Sequence, residues 1–541
     1  MSRKMKVASL LTSALILTSV VTGCSGGKTG TTSQSVKGTL DGGVTNATGY
    51  PIVNSPITLK VAEWYAAGVG LSLKSDALQE LEKTTGINLD ITFYSDPEKA
   101  NLMYASQNYP DISLRLDASD QSKNDAIESG AVVSVDKYMQ YAPTWKKFLS
   151  ANPDIKLQCT YTDGKIYGFP YVYLDETTYN LRDQWLINRK WLNELGLSTP
   201  KTTEDFQKYL EDVKSNAGKG SIPKNVTPLY FRYGSAIGGQ FDIYGTFGVY
   251  CPGGYFIDDS GKFKCQATNT DLKAPIKYLA TLYKEGLIMP QAFTDDWSAY
   301  TAALTSDPAM AGSIFAFGDA NKNYATNGKW WYPMAPVQSP SGKQPYIRAQ
   351  VKGSTFPRNF MIYKNNKYPV ASVRLANYFA DPKVSMNFNF GSQGVGWTDG
   401  SDGKYQLITN PKYTEATNAV GNFVPCLVTE DMFTDPSAKV EGTRAWAYHN
   451  IYKNYIPKTN LNIPNIPSGV LSDTDEQRRS DLDTQINNYI GTTIANWITG
   501  KADIDSGWDG YVAQLNKIGL KEYMTLNQKR LDAAAKLAAK K

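Results

Sequence analysis

Residues 164–213 read GKIYGFPYVYLDETTYNLRDQWLINRKWLNELGLSTPKTTEDFQKYLEDV, and the rest of the chain takes its order from them. Tyr167, Phe169 and Tyr171 alternate with smaller residues as in a strand, broken at Pro170, where a ladder donor is missing. The stretch therefore reads as a crossover between two bodies. Over 182–195 the apolar positions Trp185, Leu186, Leu192 and Leu195 fall at roughly helical spacing, and Gly196 stands where a helix C-terminus places glycine. Pro200 stops that segment. Thr202 can cap the next helix with Asp205 at its third position, and Phe206, Leu210 and Val213 supply one apolar stripe.

Upstream, 57–61 alternates apolar and polar residues as a strand does and ends in Glu63, Trp64 and Tyr65. A helix through Leu78 and Leu81 closes at Thr85-Gly86, a second strand covers 87–93, and Asp96-Pro97 opens another helix. A short strand at 109–114 follows. Strand and helix alternate, as in a parallel sheet covered on both faces. Downstream lie a Gly- and aromatic-rich region at 230–255, a helix near 274–286, and a helix leading into the apolar strand 312–317. The strand 360–363, a helix through Val373, Ala376 and Phe379, and the glycine cluster 391–397 come next. An extended link at 462–467 precedes a long helix carrying Leu482, Ile486, Ile490, Ile494 and Trp497.

Several of these pieces carry a likeness. The Leu195-Gly196-Leu197-x-x-Pro200-x-Thr202 turn, the Pro110-Asp111-Ile112 strand, the Pro-containing 330–336 segment and the terminal NWITGKADIDSGWDGYVAQLNKIGLKEY resemble the extracellular solute-binding proteins of ABC importers. In length and layout the chain resembles the large lipoproteins that bind carbohydrate in Gram-positive bacteria, and the likeness covers nearly the whole mature chain. It implies an α/β fold of the periplasmic-binding-protein type II kind: two lobes, several crossovers at a hinge, and a ligand cleft between them. The expected boundaries are a signal peptide at 1–23 and a lipidated flexible tether at 24–55. The N-terminal lobe is expected at 56–168 plus 350–395, and the C-terminal lobe at 169–349 plus 396–541.

A chain of 541 residues exceeds one ordinary core, and its 41% hydrophobic and 20% charged residues are globular values. Its N-terminus has the form of a lipoprotein signal. Arg3, Lys4 and Lys6 form a basic start, 7–21 are almost all apolar or small, and Val21-Thr22-Gly23-Cys24 resembles a lipobox. The apolar run is shorter than the roughly 20 residues that span a bilayer, which favours cleavage before Cys24 and diacylation of its thiol over a transmembrane anchor. Three of the 56 basic residues lie in that leader, leaving 53 against 51 acidic, too small an excess for nucleic-acid binding. Cys251 and Cys265 flank a turn-rich segment and are the best candidates for a disulfide.

One histidine, His449, and no Gly-x-Ser-x-Gly elbow leave nucleophilic catalysis without support. The adjacent pairs Asp258-Asp259 and Asp295-Asp296 point different ways and do not make a glycosidase. The acidic turn 399–403 lacks a full calcium-loop pattern, so no metal and no cofactor are expected. What stands out is 35 Tyr and 11 Trp, many beside Gly, Asn, Asp and Arg. Sugar rings offer C–H faces for stacking and a rim of hydroxyls for hydrogen bonds, which such a surface matches. The candidate ligand contacts are Glu63, Trp64, Tyr65, Tyr171, Tyr173, Tyr244, Trp297, Phe317, Asp319, Arg358 and Trp397. Arg358 admits an acidic sugar, and a structural ion pair equally. The expected partners are an oligosaccharide, separate ABC permease subunits with their ATPase, and the membrane through the lipid on Cys24, with the chain a monomer on the extracellular face. A peptide-binding or sensory lipoprotein of the same fold is the alternative, and a polysaccharide-degrading enzyme the remoter one.

Overall fold

The computed structural model describes residues 40–65, 72–175, 177, 181–235, 237–249, 255–258, 260–306, 309–316, 330–348, 354–409, 411–419, 421–456 and 466–539. In chain order its strands are β1 (Ile57–Trp64), β2 (Ile87–Tyr94), β3 (Ile112–Leu114), β4 (Phe169–Leu174), β5 (Gln184–Asn188), β6 (Thr227–Tyr230), β7 (Tyr255–Ile257), β8 (Phe263–Cys265), β9 (Ala311–Ala316), β10 (Trp331–Pro333), β11 (Ser354–Ile362), β12 (Trp397–Asp399), β13 (Tyr405–Leu407), β14 (Leu427–Thr429) and β15 (Phe433–Thr434).

Six of them form the first sheet, in the order β14-β4-β11-β3-β1-β2. β1 runs parallel to β2 and β3, as the strand–helix alternation predicts, while β11 returns antiparallel between β3 and β4. Both faces are covered. Leu59, Val61, Ile87, Phe169 and Phe360 meet Trp145 and the helix Pro369–Phe379 on one side, where Trp145 Nε1 donates to Ala376 O at 3.0 Å. Met103, Tyr104, Ile127 and Tyr363 cover the other. The second sheet, β10-β5-β9-β6, packs on the helices Thr203–Ser215 and Lys273–Lys284 and on the C-terminal helices Asp473–Ile498, Ile504–Ile518 and Leu520–Ala539. The Thr202–Asp205 capping box forms as its spacing predicts.

Three expectations are corrected. The helix expected over 182–195 is a strand, β5, followed by the short helix Arg189–Glu194. All five residues of β5 are buried between β9 and β10, and the short apolar run Trp185-Leu186-Ile187, buried on both faces, carries no period to separate strand from helix. Within the flexible tether expected at 24–55, residues 40–55 pack on the first lobe: Ile52 and Val53 lie in the first core, and Asp41 accepts from Ala371 N at 2.9 Å at the start of the helix Pro369–Phe379. Residues from 396 onward do not all pass to the second lobe. β14 forms an edge of the six-stranded sheet, and the small sheet β12-β13-β15 packs against Met386 and Val428. Only after β15 does the chain leave for the C-terminal helices.

The chain thus passes between the sheets three times, and all three passages meet. Leu181, Ile347, Ala447, Tyr448 and Tyr452 form one small buried cluster. Arg182 N donates to Arg348 O at 3.3 Å, Ile347 N to Tyr455 O at 2.9 Å, and the Arg444 guanidinium to Leu181 O. The link 462–467 lies largely outside the described residues, as does Cys251 of the expected disulfide.

Candidate functional site

The C-terminal edge of the first sheet opens a cleft of about 340 Å³. Open α/β sheets place ligands at this edge, where loops diverge from strand ends. β1 delivers Trp64, the turn after β3 delivers Arg115 and Asp117, and the helix Asp120–Glu128 presents Asp120 and Lys123. β11 contributes Phe356, Pro357, Arg358 and Asn359 through an irregularity in its register between Phe356 and Phe360. Such a bulge re-aims side chains, and Pro357, which has no ladder donor to offer, suits it. The opposing backbone must come close here: a Cβ at Gly168 would stand 2.7 Å from Phe360 O.

Trp64 stacks on Phe423 with ring centroids 5.6 Å apart and planes 7° from parallel. The Arg115 guanidinium lies over Trp64, Phe356 and Phe423 at 5.0, 4.5 and 5.3 Å from the ring centroids. Arg115 holds a left-handed φ of 34°, and its N–H donates to Asn359 O at 2.6 Å. Arg358 donates to Asn124 Oδ1 and Asp120 Oδ1, each at 2.9 Å. Burial pulls Arg115 below the usual guanidinium range, and burial together with the neighbouring Arg358 charge does the same to Lys123.

A second platform stands at the C-terminal ends of the parallel pair β6 and β9. Trp297 is 52% exposed and leans on buried Tyr300 with centroids 5.5 Å apart. Tyr230 stacks on Tyr300 and donates its hydroxyl to Asp295 Oδ2 at 2.7 Å, while the Arg232 guanidinium lies 5.6 Å from the Trp297 centroid. Beside the interlobe passages, Arg348 donates to buried Asp183 Oδ2 at 3.0 Å through its guanidinium and to Asp242 Oδ1 at 2.6 Å through its backbone N–H. Burial raises the Asp183 carboxyl, and raises Asp242 to about 7 against the opposing pull of Arg348.

The structure sorts the sequence candidates. Trp64 and Arg358 line the first cleft, and Trp297 is the exposed ring of the second platform. Tyr65 is exposed beside Phe93; Tyr171 donates to Asn389 Oδ1 at 2.9 Å and packs on Phe356; half-buried Tyr173 packs on Phe390. Glu63, Tyr244 and Trp397 are fully buried and present nothing to either platform. Glu63 is enclosed within β1, Tyr244 sits in the second core, and Trp397 donates its Nε1 to Asn387 Oδ1 at 3.2 Å within the small sheet's core. Phe317 and Asp319 lie outside the described residues. The acidic turn 399–403 joins β12 to β13, with Asp402 accepting from Lys404 N at 3.1 Å. Arg115, Lys123, Phe356, Arg232 and Phe423 were not among the candidates. Arg115 and Arg232 stand just beyond the ends of β3 and β6, so the strand-end rule that picks out Trp64 reaches them as well.

A family model for bacterial extracellular solute-binding proteins matches residues 76–396. The chain belongs to that family. Among relatives of this solute-binding protein, the fructooligosaccharide ABC transporter substrate-binding protein FusA of Streptococcus pneumoniae serotype 4 is 28% identical over 481 residues, 84% of this chain and 86% of FusA. The solved structure of S. pneumoniae FusA in complex with kestose aligns with a TM-score of 0.75 at 27% identity, covering 88% of this chain and 99% of the other. Lipoprotein LipO of Bacillus subtilis is 26% identical over 263 residues, 47% of this chain and 48% of LipO. The fold is therefore the two-lobed α/β fold of the type II solute-binding proteins, and the relatives are transport proteins rather than enzymes. Among the described residues no helix is long and apolar enough to cross a membrane.

Proposed function

We propose that this solute-binding protein captures an oligosaccharide between its lobes and delivers it to the permease subunits and separate ATPase of an ABC importer. The observation that carries the reading is the pair of aromatic platforms, Trp64 with Phe356 at the edge of one sheet and Trp297 with Tyr300 at the edge of the other, each ringed by carboxylates and guanidinium groups. A sugar presents an apolar face to a ring and hydroxyls to the polar rim, so both halves of each platform are used. FusA, named for fructooligosaccharides, supports the same ligand class. The ligand bridges both platforms only in the closed state, and its preference for that state sets how far the equilibrium moves. The domain assignment that goes with this places residues 56–174, the 354–434 return and the packed 40–55 segment in the first lobe, with the remainder of the folded chain in the second; the expected boundary at 169 moves past β4, which pairs with β11 and β14 in the first sheet.

Attachment to the outer face of the membrane through a diacylated Cys24 rests on the leader and its Val21-Thr22-Gly23-Cys24 ending. Binding without chemistry is the corollary, since each platform is a place to hold a ligand and neither pairs a nucleophile with a base. The test is a thermal-shift screen of the mature chain against oligosaccharides. A ligand at 100 times its Kd adds about 2.7 kcal/mol to stability. One stabilising oligosaccharide recovered unchanged after incubation supports the proposal. Silence across oligosaccharides with a response to peptides would replace the ligand class, and sugar release from a polymer would replace binding by hydrolysis.

A further inference from the structure

Three cations line the first cleft, Arg115, Lys123 and Arg358, and they are not equivalent. Arg358 has a carboxylate at ion-pair distance, Asp120 at 2.9 Å. Among the described residues neither Arg115 nor Lys123 has one. Asp117 at the same cleft stands beyond pairing distance, although its charge favours the cationic form of both. A cation drawn out of water without an anion is costly, and here the cost is partly offset by three ring faces under the Arg115 guanidinium. Arg115 also holds the left-handed φ of 34°, a backbone state that a non-glycine residue keeps only where the surroundings impose it and that clusters at ligand sites. The second platform repeats the motif. Arg232 lies over Trp297 and Tyr300 at 5.6 and 5.9 Å, with its Nε buried and lacking a hydrogen-bond partner.

We infer that the oligosaccharide is acidic, and that Arg115, with Lys123 beside it, receives a sugar carboxylate. The inference rests on the oligosaccharide reading and narrows it. A neutral hydroxyl offers the guanidinium one acceptor and no charge, whereas a carboxylate matches its two parallel N–H groups and compensates the half-buried cation. Asp120 and Asp117 remain on the cleft to receive hydroxyl donors from the same ring.

The test is calorimetry on the mature chain with three trisaccharides: a trigalacturonate, its methyl ester and neutral kestose. The expected result is trigalacturonate binding at least tenfold tighter than its methyl ester, a gap that narrows as salt rises. Arg115→Gln should weaken the trigalacturonate by roughly 10- to 100-fold while leaving the methyl ester within a few-fold. If that variant does not fold, Lys123→Gln carries the same comparison, with a loss confined to the charged probe. Neutral probes binding as tightly as the acidic one, or all three weakening together in Arg115→Gln, would overturn the acidic assignment and keep the oligosaccharide reading. No response to any neutral or acidic oligosaccharide would overturn both.

Discussion

Trp297 and Trp397 both follow a turn at the edge of a sheet, and their surroundings assign them opposite work. Trp297 is half exposed, with Tyr300 and Arg232 against its ring, whereas Trp397 is 0% exposed and packs among Met386, Val428 and Phe433. Removing the first ring should therefore cost affinity and removing the second should cost stability. Trp297→Ala is expected to weaken oligosaccharide binding by about 1–3 kcal/mol, the range for a flat group stacked on an aromatic side chain, with an unchanged melting temperature in the absence of ligand. Trp397→Ala is expected to lose about 3–5 kcal/mol of stability in urea denaturation and to bind normally below its transition. The reverse pattern would exchange their roles. In sequence the two are alike, because burial depends on what the small β12-β13-β15 sheet brings over Trp397, and three strands of two or three residues leave almost no periodicity to read.

At the scale of elements, strands with one polar face and capped helices were legible in the sequence: β1, β2 and the helix after Thr202 lie where alternation, capping and the apolar stripe place them. β5, central and buried throughout, reads in sequence as helix for want of a period, and the bulge in β11 that shapes the cleft leaves no mark except Pro357. The mark of that bulge on its neighbour is Gly168. Gly168→Ala should destabilise the first lobe by about 1–3 kcal/mol, since its Cβ would press on Phe360 O, and should also weaken ligand binding by moving Phe356 and Arg358. The same loss of stability with unaltered affinity would separate the bulge from the site. The interlobe passages carry a further consequence through Asp242. With its carboxyl raised to about 7 by burial, it stays protonated in the native state while the unfolded chain ionises near 3.9. Its contribution to stability is full below about pH 4 and is lost as the pH rises toward 7. Asp242→Asn keeps an acceptor for the Arg348 N–H and removes the titration. Relative to the parent it should gain stability on the order of 2–4 kcal/mol between pH 4.5 and pH 8, read as the difference of urea midpoints. A constant difference across that range would mean that Asp242 is ionised throughout.

For the whole molecule the question is what a ligand must do to hold two lobes together. Each sheet has its own core, and the three passages between them converge on the cluster of Leu181, Ile347, Ala447, Tyr448 and Tyr452, so bending can be confined to one place. Shifting a population from 99% open to 99% closed requires a ligand that prefers the closed state by about 10⁴-fold, near 5.5 kcal/mol. Contacts to the first lobe alone are made equally in both states and contribute nothing to that preference. The whole of it must come from contacts completed on closure, and several hydrogen bonds of about 1 kcal/mol each plus one stacked ring on the second platform reach the required sum. Losing a ring worth about 1–3 kcal/mol lowers the closed-to-open ratio by roughly 5- to 160-fold, so Trp297→Ala, saturated with ligand, should fall from about 99% closed to between roughly 95% and 40% closed, although Trp64, Phe356 and Arg115 still hold the sugar. X-ray scattering distinguishes the cases: the parent chain should contract on adding a saturating oligosaccharide, and Trp297→Ala should bind it with a smaller contraction. Equal contraction in both would place the closing contacts elsewhere on the second lobe, and contraction in neither would mean that this protein binds without closing.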